Sequence, residues 1–412
     1  MSQADQRSTN IGMQSLRTYL IFGATDRANY GDLLFPLVCS RLLAENDASG
    51  EIVNVGLVAS DLSDMGAMPT IGFRLAAKGM KPSQSYVMIV AGGEVLSTDW
   101  LAALGYVFKP VALLAYLTPD RMKWRLNRVL QHVMRGRHPL AFHSHFDANV
   151  DTAYVSVGGY RTKSSNSFTD KESALRKSLS QAAYVSVRDS DVAASVLRLT
   201  NRRPDLTPDS AIIVSDLFGD GAASRNSRPY IAVQCGLKKI EGRIDQLAEA
   251  LFTAYEQTGL DIVLFAIGTA PGHEDDRATA LLREKVQALG VDRSRLYLEP
   301  LGTLQETAQI IARADVYVGT SLHGVITAMS YGTPYVGLYE GIPKMSAYLA
   351  SWGHQALKGV GGLSLLPEAI ELALSVSREE LRLFHSPDKQ RVRSSFKAML
   401  LATQRLNSEA GA

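Results

Sequence analysis

GTLQETAQIIARADVYVGTSLHGVITAMSYGTPYVGLY, residues 302–339, carries the pattern that sets the fold. Thr303 and Glu306 form a T-x-x-E capping box, which opens a helix running through Arg313. DVYVGT (315–320) is a short apolar run and reads as a buried strand. Thr320 or Ser321 then caps a second helix of small and apolar residues, and Gly332 ends it. PYVGLY (334–339) is the next strand. Alternation of this kind builds a parallel sheet covered by helices on both faces. It also sets His323 in the first turn of a helix that follows a strand. Unpaired N–H groups and the helix dipole favour an anion there. The plainer reading of His323 is a packed ring hydrogen-bonded to backbone.

The same rhythm extends outward. RTYLIFG (17–23), SYVMIVAGG (85–93), AYVSVG (153–158) and AYVSVRD (183–189) read as buried strands in the first half. YIAVQCG (230–236), DIVLFAIG (261–268) and RLYLEP (295–300) read likewise in the second, separated by helical stretches that end in glycine. FGDGAASRNSRP (218–229) lacks apolar periodicity and is the expected seam. The expected fold class is therefore α/β, with two facing Rossmann-like domains and a central cleft. The expected boundaries are a flexible tail 1–15, an N-terminal domain 16–220, a C-terminal domain 228–375 and a helical tail 376–412. Two such halves place their strand C-termini, and so their ligand sites, against each other.

The chain has 412 residues, more than one ordinary core holds. Its formal charge of +2 gives no global attraction to nucleic acid, so any anionic partner must meet a local cluster. Cys39 and Cys235 are the only cysteines, which excludes a disulfide framework and a C-x-x-C metal site, and a reducing compartment fits. LAALGYVFKPVALLAYLT (101–118) is the most apolar stretch, but Lys109 and Pro110 interrupt it. It reads as two shorter buried segments.

Four stretches together resemble the polysaccharide pyruvyl transferase family: N-Y-G-D (29–32), A-G-G (91–93), S-V-R-D-S (186–190) and G-T-S-L-H-G (319–324). The resemblance runs from about residue 18 to 350. It implies a GT-B-like fold and transfer of the pyruvyl group of phosphoenolpyruvate to hydroxyls of a glycan or lipid-linked saccharide, often closing a ketal. No cofactor and no metal are implied. The implied setting is the cytoplasm, in bacterial exopolysaccharide or cell-surface glycan synthesis. By resemblance His323 and Arg188 are the catalytic candidates. Arg188, Ser321, Leu322, His323, Gly324 and Lys344 would hold the donor. Asn29, Gly31, Asp32, Gly92 and Gly93 would border the acceptor. The N-terminal half would be the acceptor side.

The chemistry suits these residue types. Phosphoenolpyruvate carries a carboxylate and a phosphate, and arginine's planar fork fits either. Histidine gives or takes a proton near neutral pH. The plainer reading of Arg188 is a salt bridge to Asp189 or Asp191, and that of Asp32 is a helix cap. Gly31 and Gly324 would leave room for a ligand. The family commonly has arginine before L-H-G, where this chain has Ser321. Lys344 is the candidate replacement cation, with Arg27 and Arg161 behind it.

HEDD (273–276) mixes a histidine with acids, but it immediately precedes a helical stretch, where acids are favoured without a metal. DRMKWRLNRVLQHVMRGRH (120–138) is a basic amphipathic helix. Its first reading is a solvated helix whose apolar side packs on the core. Its second is peripheral contact with an anionic membrane through 121–137. Two other functions compete: a GT-B glycosyltransferase using a nucleotide sugar, for which Glu340 is the nearest candidate ribose acid, and a non-catalytic glycan-binding relative.

Overall fold

The structure is a computed structural model, and it describes residues 17–46, 48–82, 84–146, 150–160, 169–219, 228–272 and 274–409. The expected tail 1–15, most of the expected seam, Arg161 and His273 lie outside the described residues.

Short, largely apolar runs form two parallel sheets. The first comprises β1 (Arg17–Phe22), β2 (Gly50–Gly56), β3 (Ile71–Gly72), β4 (Tyr86–Ala91), β5 (Val150–Val157), β6 (Tyr184–Val187) and β7 (Asp205–Leu206), in the order β3-β2-β1-β4-β5-β6-β7. The second comprises β8 (Tyr230–Gln234), β9 (Asp261–Phe265), β10 (Leu296–Glu299), β11 (Val316–Gly319) and β12 (Tyr335–Gly337), in the order β10-β9-β8-β11-β12. Both orders reverse once, between β1 and β4 and between β8 and β11. A ligand crevice opens at such a reversal, beyond the strand C-termini.

Side-chain contacts, most of them buried, join the two lobes. The helix Tyr30–Glu45 follows β1 and packs on the helix Leu322–Tyr331, with Tyr30 Oη 3.0 Å from Thr327 Oγ1. Trp352 Nε1 donates to the Arg188 carbonyl at 2.7 Å. The helix Arg378–Glu409 leaves the second lobe and returns to the first, where Arg393 Nε meets Glu45 Oε2 at 2.9 Å and Ser395 Oγ lies 2.7 Å from Tyr184 Oη.

Three expectations need correction. β10 forms from RLYLEP, which reads as a buried strand, but only Leu296 in it is buried, because it is the edge strand of its sheet. Of the apolar stretch 101–118, only the first helix, Trp100–Gly105, is a buried segment; the second, Lys109–Leu117, contains no buried residue. The helix Asp120–Val133 buries Asn127 alone, and Met122, Val129 and Val133 are exposed. Leu130 packs against the core, so its apolar side is covered only in part. Among the described residues no helix is long and apolar enough to cross a membrane.

Candidate functional site

The two strand-order reversals face each other across a cleft of about 580 Å³. Ala24, Asn29, Gly93 and Glu94 line it from the first lobe, and Gln234, Gly236, Thr320 and Ser321 from the second. Arg27, Arg188, Lys238, Lys239 and Lys344 bring positive charge; Asp32, Glu94 and Asp275 bring negative.

His323 is placed by its helix start. Ser321 is the N-cap, and its hydroxyl accepts from the Gly324 amide at 3.3 Å. Thr320 does a different job, accepting the Gly236 amide at 3.0 Å. The imidazole crosses to the first lobe and sits edge-on to Phe35, with ring centroids 5.4 Å apart. Beneath it lies Gly31, where an added Cβ would fall 1.8 Å from His323 Nδ1. Gly31 thus makes room for the imidazole itself, not for an acceptor sugar. Gly324 is also corrected: an added Cβ there would meet Tyr317 Oη at 2.0 Å, so its smallness serves packing on β11 and not a ligand.

Arg188 follows β6 and is buried. Its Nη1 donates to Asp209 Oδ2 at 3.0 Å, and Nη2 lies 4.0 Å from Glu94 Oε1. The expected partners, Asp189 and Asp191, are not the ones that hold the guanidinium; Asp189 caps the helix Ser190–Thr200 by accepting from the Val192 amide. Among the described residues nothing accepts from the buried Arg188 Nε. A buried donor without a partner is costly, and Gly158 lies against it, where an added Cβ would fall 2.8 Å from Nε.

Asp209 is the residue that the sequence did not reveal. Its Oδ2 meets Arg188 Nη1 and also lies 3.7 Å from His323 Nε2. Burial raises its pKa, but His323, Arg188 and the Ala211 amide outweigh that and hold the carboxyl below its ordinary value. His323 Nε2 is buried and makes no hydrogen bond within the described residues. Lys344, in the first turn of the helix Pro343–Trp352, has Nζ 3.8 Å from Glu94 Oε2. Burial lowers the Lys344 pKa, with Glu94 opposing. Charges therefore alternate across the cleft in the order Lys344, Glu94, Arg188, Asp209, with His323 beside the last.

The remaining candidates divide. Asn29 Nδ2 donates to Asp32 Oδ2 at 2.6 Å, and both line the cleft. Asp32 is not the helix cap; it lies inside the first turn, and Asn29 holds the cap position. Gly93 lines the cleft, whereas a Cβ on Gly92 would strike the Phe35 ring at 2.0 Å. Leu322 lines the cleft and is otherwise buried. Arg27 is committed elsewhere, with Asp26 at 2.7 Å and the Ala103 carbonyl at 3.0 Å. Asp275 opens the helix Asp275–Ala288 and accepts from Gln234 Nε2 and from the Ile267 and Gly268 amides. Burial pushes its carboxyl up to about 6. Among the described residues no cluster of His, Cys, Asp and Glu could hold a metal ion.

Two parallel α/β lobes that close on one cleft define the GT-B-like class. Solved structures share it at low identity, which shows the fold alone. A UDP-N-acetylglucosamine 2-epimerase from Rickettsia bellii superposes with a TM-score of 0.56 at 10% identity, covering 95% of this chain and 96% of that one. A putative UDP-N-acetylglucosamine 2-epimerase from Listeria monocytogenes gives 0.54 at 14%, covering 97% and 98%. The Methanocaldococcus jannaschii UDP-GlcNAc 2-epimerase, solved with UDP-GlcNAc and UDP, gives 0.50 at 14%, covering 88% and 94%. No curated protein matches the sequence.

Within that class the resemblance to one family is confirmed: residues 155–341 match the polysaccharide pyruvyl transferase family. Arg188, Asp209 and His323 fall inside the matched stretch. The N-Y-G-D and A-G-G loops and Lys344 fall outside it.

Proposed function

We propose that the protein transfers the pyruvyl group of phosphoenolpyruvate to hydroxyls of a glycan or lipid-linked saccharide, forms a pyruvate ketal and releases phosphate. The observation that carries this reading is the convergence of Arg188 and His323, from opposite lobes, on one buried carboxylate oxygen of Asp209 at 3.0 and 3.7 Å. A doubly anionic donor needs fixed cations and a proton-moving group side by side, and this cleft offers both.

In the proposed reaction Arg188 and Lys344 hold the donor's two anionic groups. A proton added to the donor methylene makes C2 electrophilic. One acceptor hydroxyl attacks C2 and loses its proton. The C2–O bond to phosphate then breaks, and a second hydroxyl closes the ketal. One hydroxyl proton replaces that taken up by the methyl group, and the other leaves with phosphate. His323 moves a proton at the imidazole, and the ionised Asp209 stabilises its charged form. The Asn29–Asp32 pair and Gly93 form the acceptor side. The sequence calls for no cofactor and no metal. We place the reaction in the cytoplasm, in the making of a bacterial cell-surface glycan; the buried, unbridged thiols of Cys39 and Cys235 fit a reducing compartment.

Glu340, the candidate ribose acid of the nucleotide-sugar reading, is half-exposed and pairs with Arg243 at 2.7 Å, so a ribose would have to compete with that pair. Incubation with phosphoenolpyruvate and a panel of glycosides tests the proposal. The expected outcome is an acceptor that gains one pyruvate by mass spectrometry, with one phosphate released per transfer. A glycosylated product from UDP- or GDP-sugars, or glycan binding with no turnover, would replace it with one of the rivals.

A further inference from the structure

The helices Lys109–Leu117 and Asp120–Val133 follow one another, joined by Thr118 and Pro119; each packs on the helix Trp100–Gly105, with Val111 and Leu130 turned to the core, and each leaves an outer side exposed. Relative exposure is 85% at Tyr116, 66% at Leu117, 58% at Leu113 and 51% at Trp124. Contiguous exposed apolar side chains of this size mark an interaction surface. The second helix is held firmly where it meets the first lobe. Asn127 Oδ1 accepts from the Leu101 amide at 3.1 Å, and Gly136 lies so close to Trp100 that an added Cβ would meet the indole at 2.1 Å.

Charge identifies the occupant. Residues 109–137 contain seven Lys or Arg and one acid, Asp120. Arg125 and Arg128 flank Trp124, with guanidinium carbons 5.3 and 5.6 Å from its ring centroid. Leucines and tyrosine ask for an apolar medium, and the interspersed cations ask for anions. The headgroup–acyl boundary of an anionic bilayer supplies both within a few ångströms. A second copy of this chain does not, because it would set two strongly basic faces against each other.

We propose that this pair of helices is an in-plane anchor that docks the protein on an anionic membrane surface. Its position gives the docking a purpose. Ala102, in the helix on which both pack, and Tyr106, which leads from it toward them, both line the cleft. Docking therefore brings the mouth of the cleft to the headgroups, where an acceptor carried on a lipid is presented without leaving the membrane. The proposal deepens the lipid-linked part of the reading above, but the binding itself needs neither substrate. Its failure is thus distinct from a failure of the proposed reaction.

The test is sedimentation of the full chain with phosphatidylglycerol–phosphatidylcholine vesicles at low salt, against pure phosphatidylcholine and against high salt. We expect binding to the mixed vesicles, weakened by roughly tenfold or more in both controls. Trp100 and Trp352 are buried, so a blue shift of fluorescence on binding reports Trp124. Trp124→Phe should erase the shift and leave most of the sedimentation. The double variant Tyr116→Ser, Leu117→Ser should lose binding by roughly tenfold or more, with its melting temperature and phosphoenolpyruvate binding unchanged. No sedimentation at low salt overturns the proposal. So does full binding by the double variant, or a concentration-dependent dimer that the double variant abolishes, which would assign the face to a second copy.

Discussion

Arg188→Met is expected to weaken phosphoenolpyruvate binding by roughly 100-fold to 1,000-fold, because charge-assisted hydrogen bonds to an anion each contribute about 1.5–3 kcal/mol and the fork makes more than one. The same substitution should lower stability by about 3–5 kcal/mol, since it strips a buried carboxylate of its nearest cation. The carboxylate is Asp209, which is fully buried and 3.0 Å from Arg188 Nη1. The two effects separate in the double variant Arg188→Met, Asp209→Asn. Removing the stranded charge should recover part of the melting temperature and none of the donor affinity. Calorimetric titration and thermal unfolding measure the two quantities side by side. Wild-type affinity in Arg188→Met would remove the arginine from the donor site.

His323→Gln should behave differently. Turnover is expected to fall by roughly 100-fold to 10,000-fold, the usual range for a positioned acid or base, while the donor's KM changes by only a few fold. Gly31→Ala should reproduce much of the loss without touching the imidazole's chemistry, because its methyl would fall 1.8 Å from His323 Nδ1 and push the ring aside. Displacement of that order costs roughly 100-fold in a reaction that depends on alignment. Steady-state kinetics with a glycan acceptor decides both. Unchanged turnover in His323→Gln would end its catalytic role.

Much of this architecture is legible in the chain. Runs such as YIAVQ and DIVLF are buried along their whole length in the structure, and period-free apolar runs of that length read as interior strands. The Thr303–Glu306 capping box is formed as its spacing requires. β2, β3 and β7 are less visible. Glu51 is exposed and Asn54 sits within the run GEIVNVG, while β3 and β7 are two-residue edge strands.

The site is legible only where chemistry is local. His323 and Arg188 stand at the ends of strands, and their neighbours say so. Asp209 follows a proline and precedes SAIIV, so it reads as a cap, and it does accept the Ala211 amide at 3.1 Å. Nothing nearby in the chain announces that its other oxygen joins two residues from different lobes. Glycines hide their reasons in the same way: Gly31 answers to His323, and Gly324 to Tyr317, across the fold. Leu113, Tyr116 and Leu117 show the converse. Apolar residues in a helix imply burial against something, and the sequence does not say that these three stay exposed among the described residues.

The most direct measurement of the central claim is a calorimetric titration of the unmodified protein with phosphoenolpyruvate and, separately, with UDP-N-acetylglucosamine. Arg188 and His323 sharing one carboxylate in one cleft predicts saturable phosphoenolpyruvate binding that is lost in Arg188→Met, and no comparable binding of the nucleotide sugar. Tight binding of the nucleotide sugar with none of phosphoenolpyruvate would contradict it.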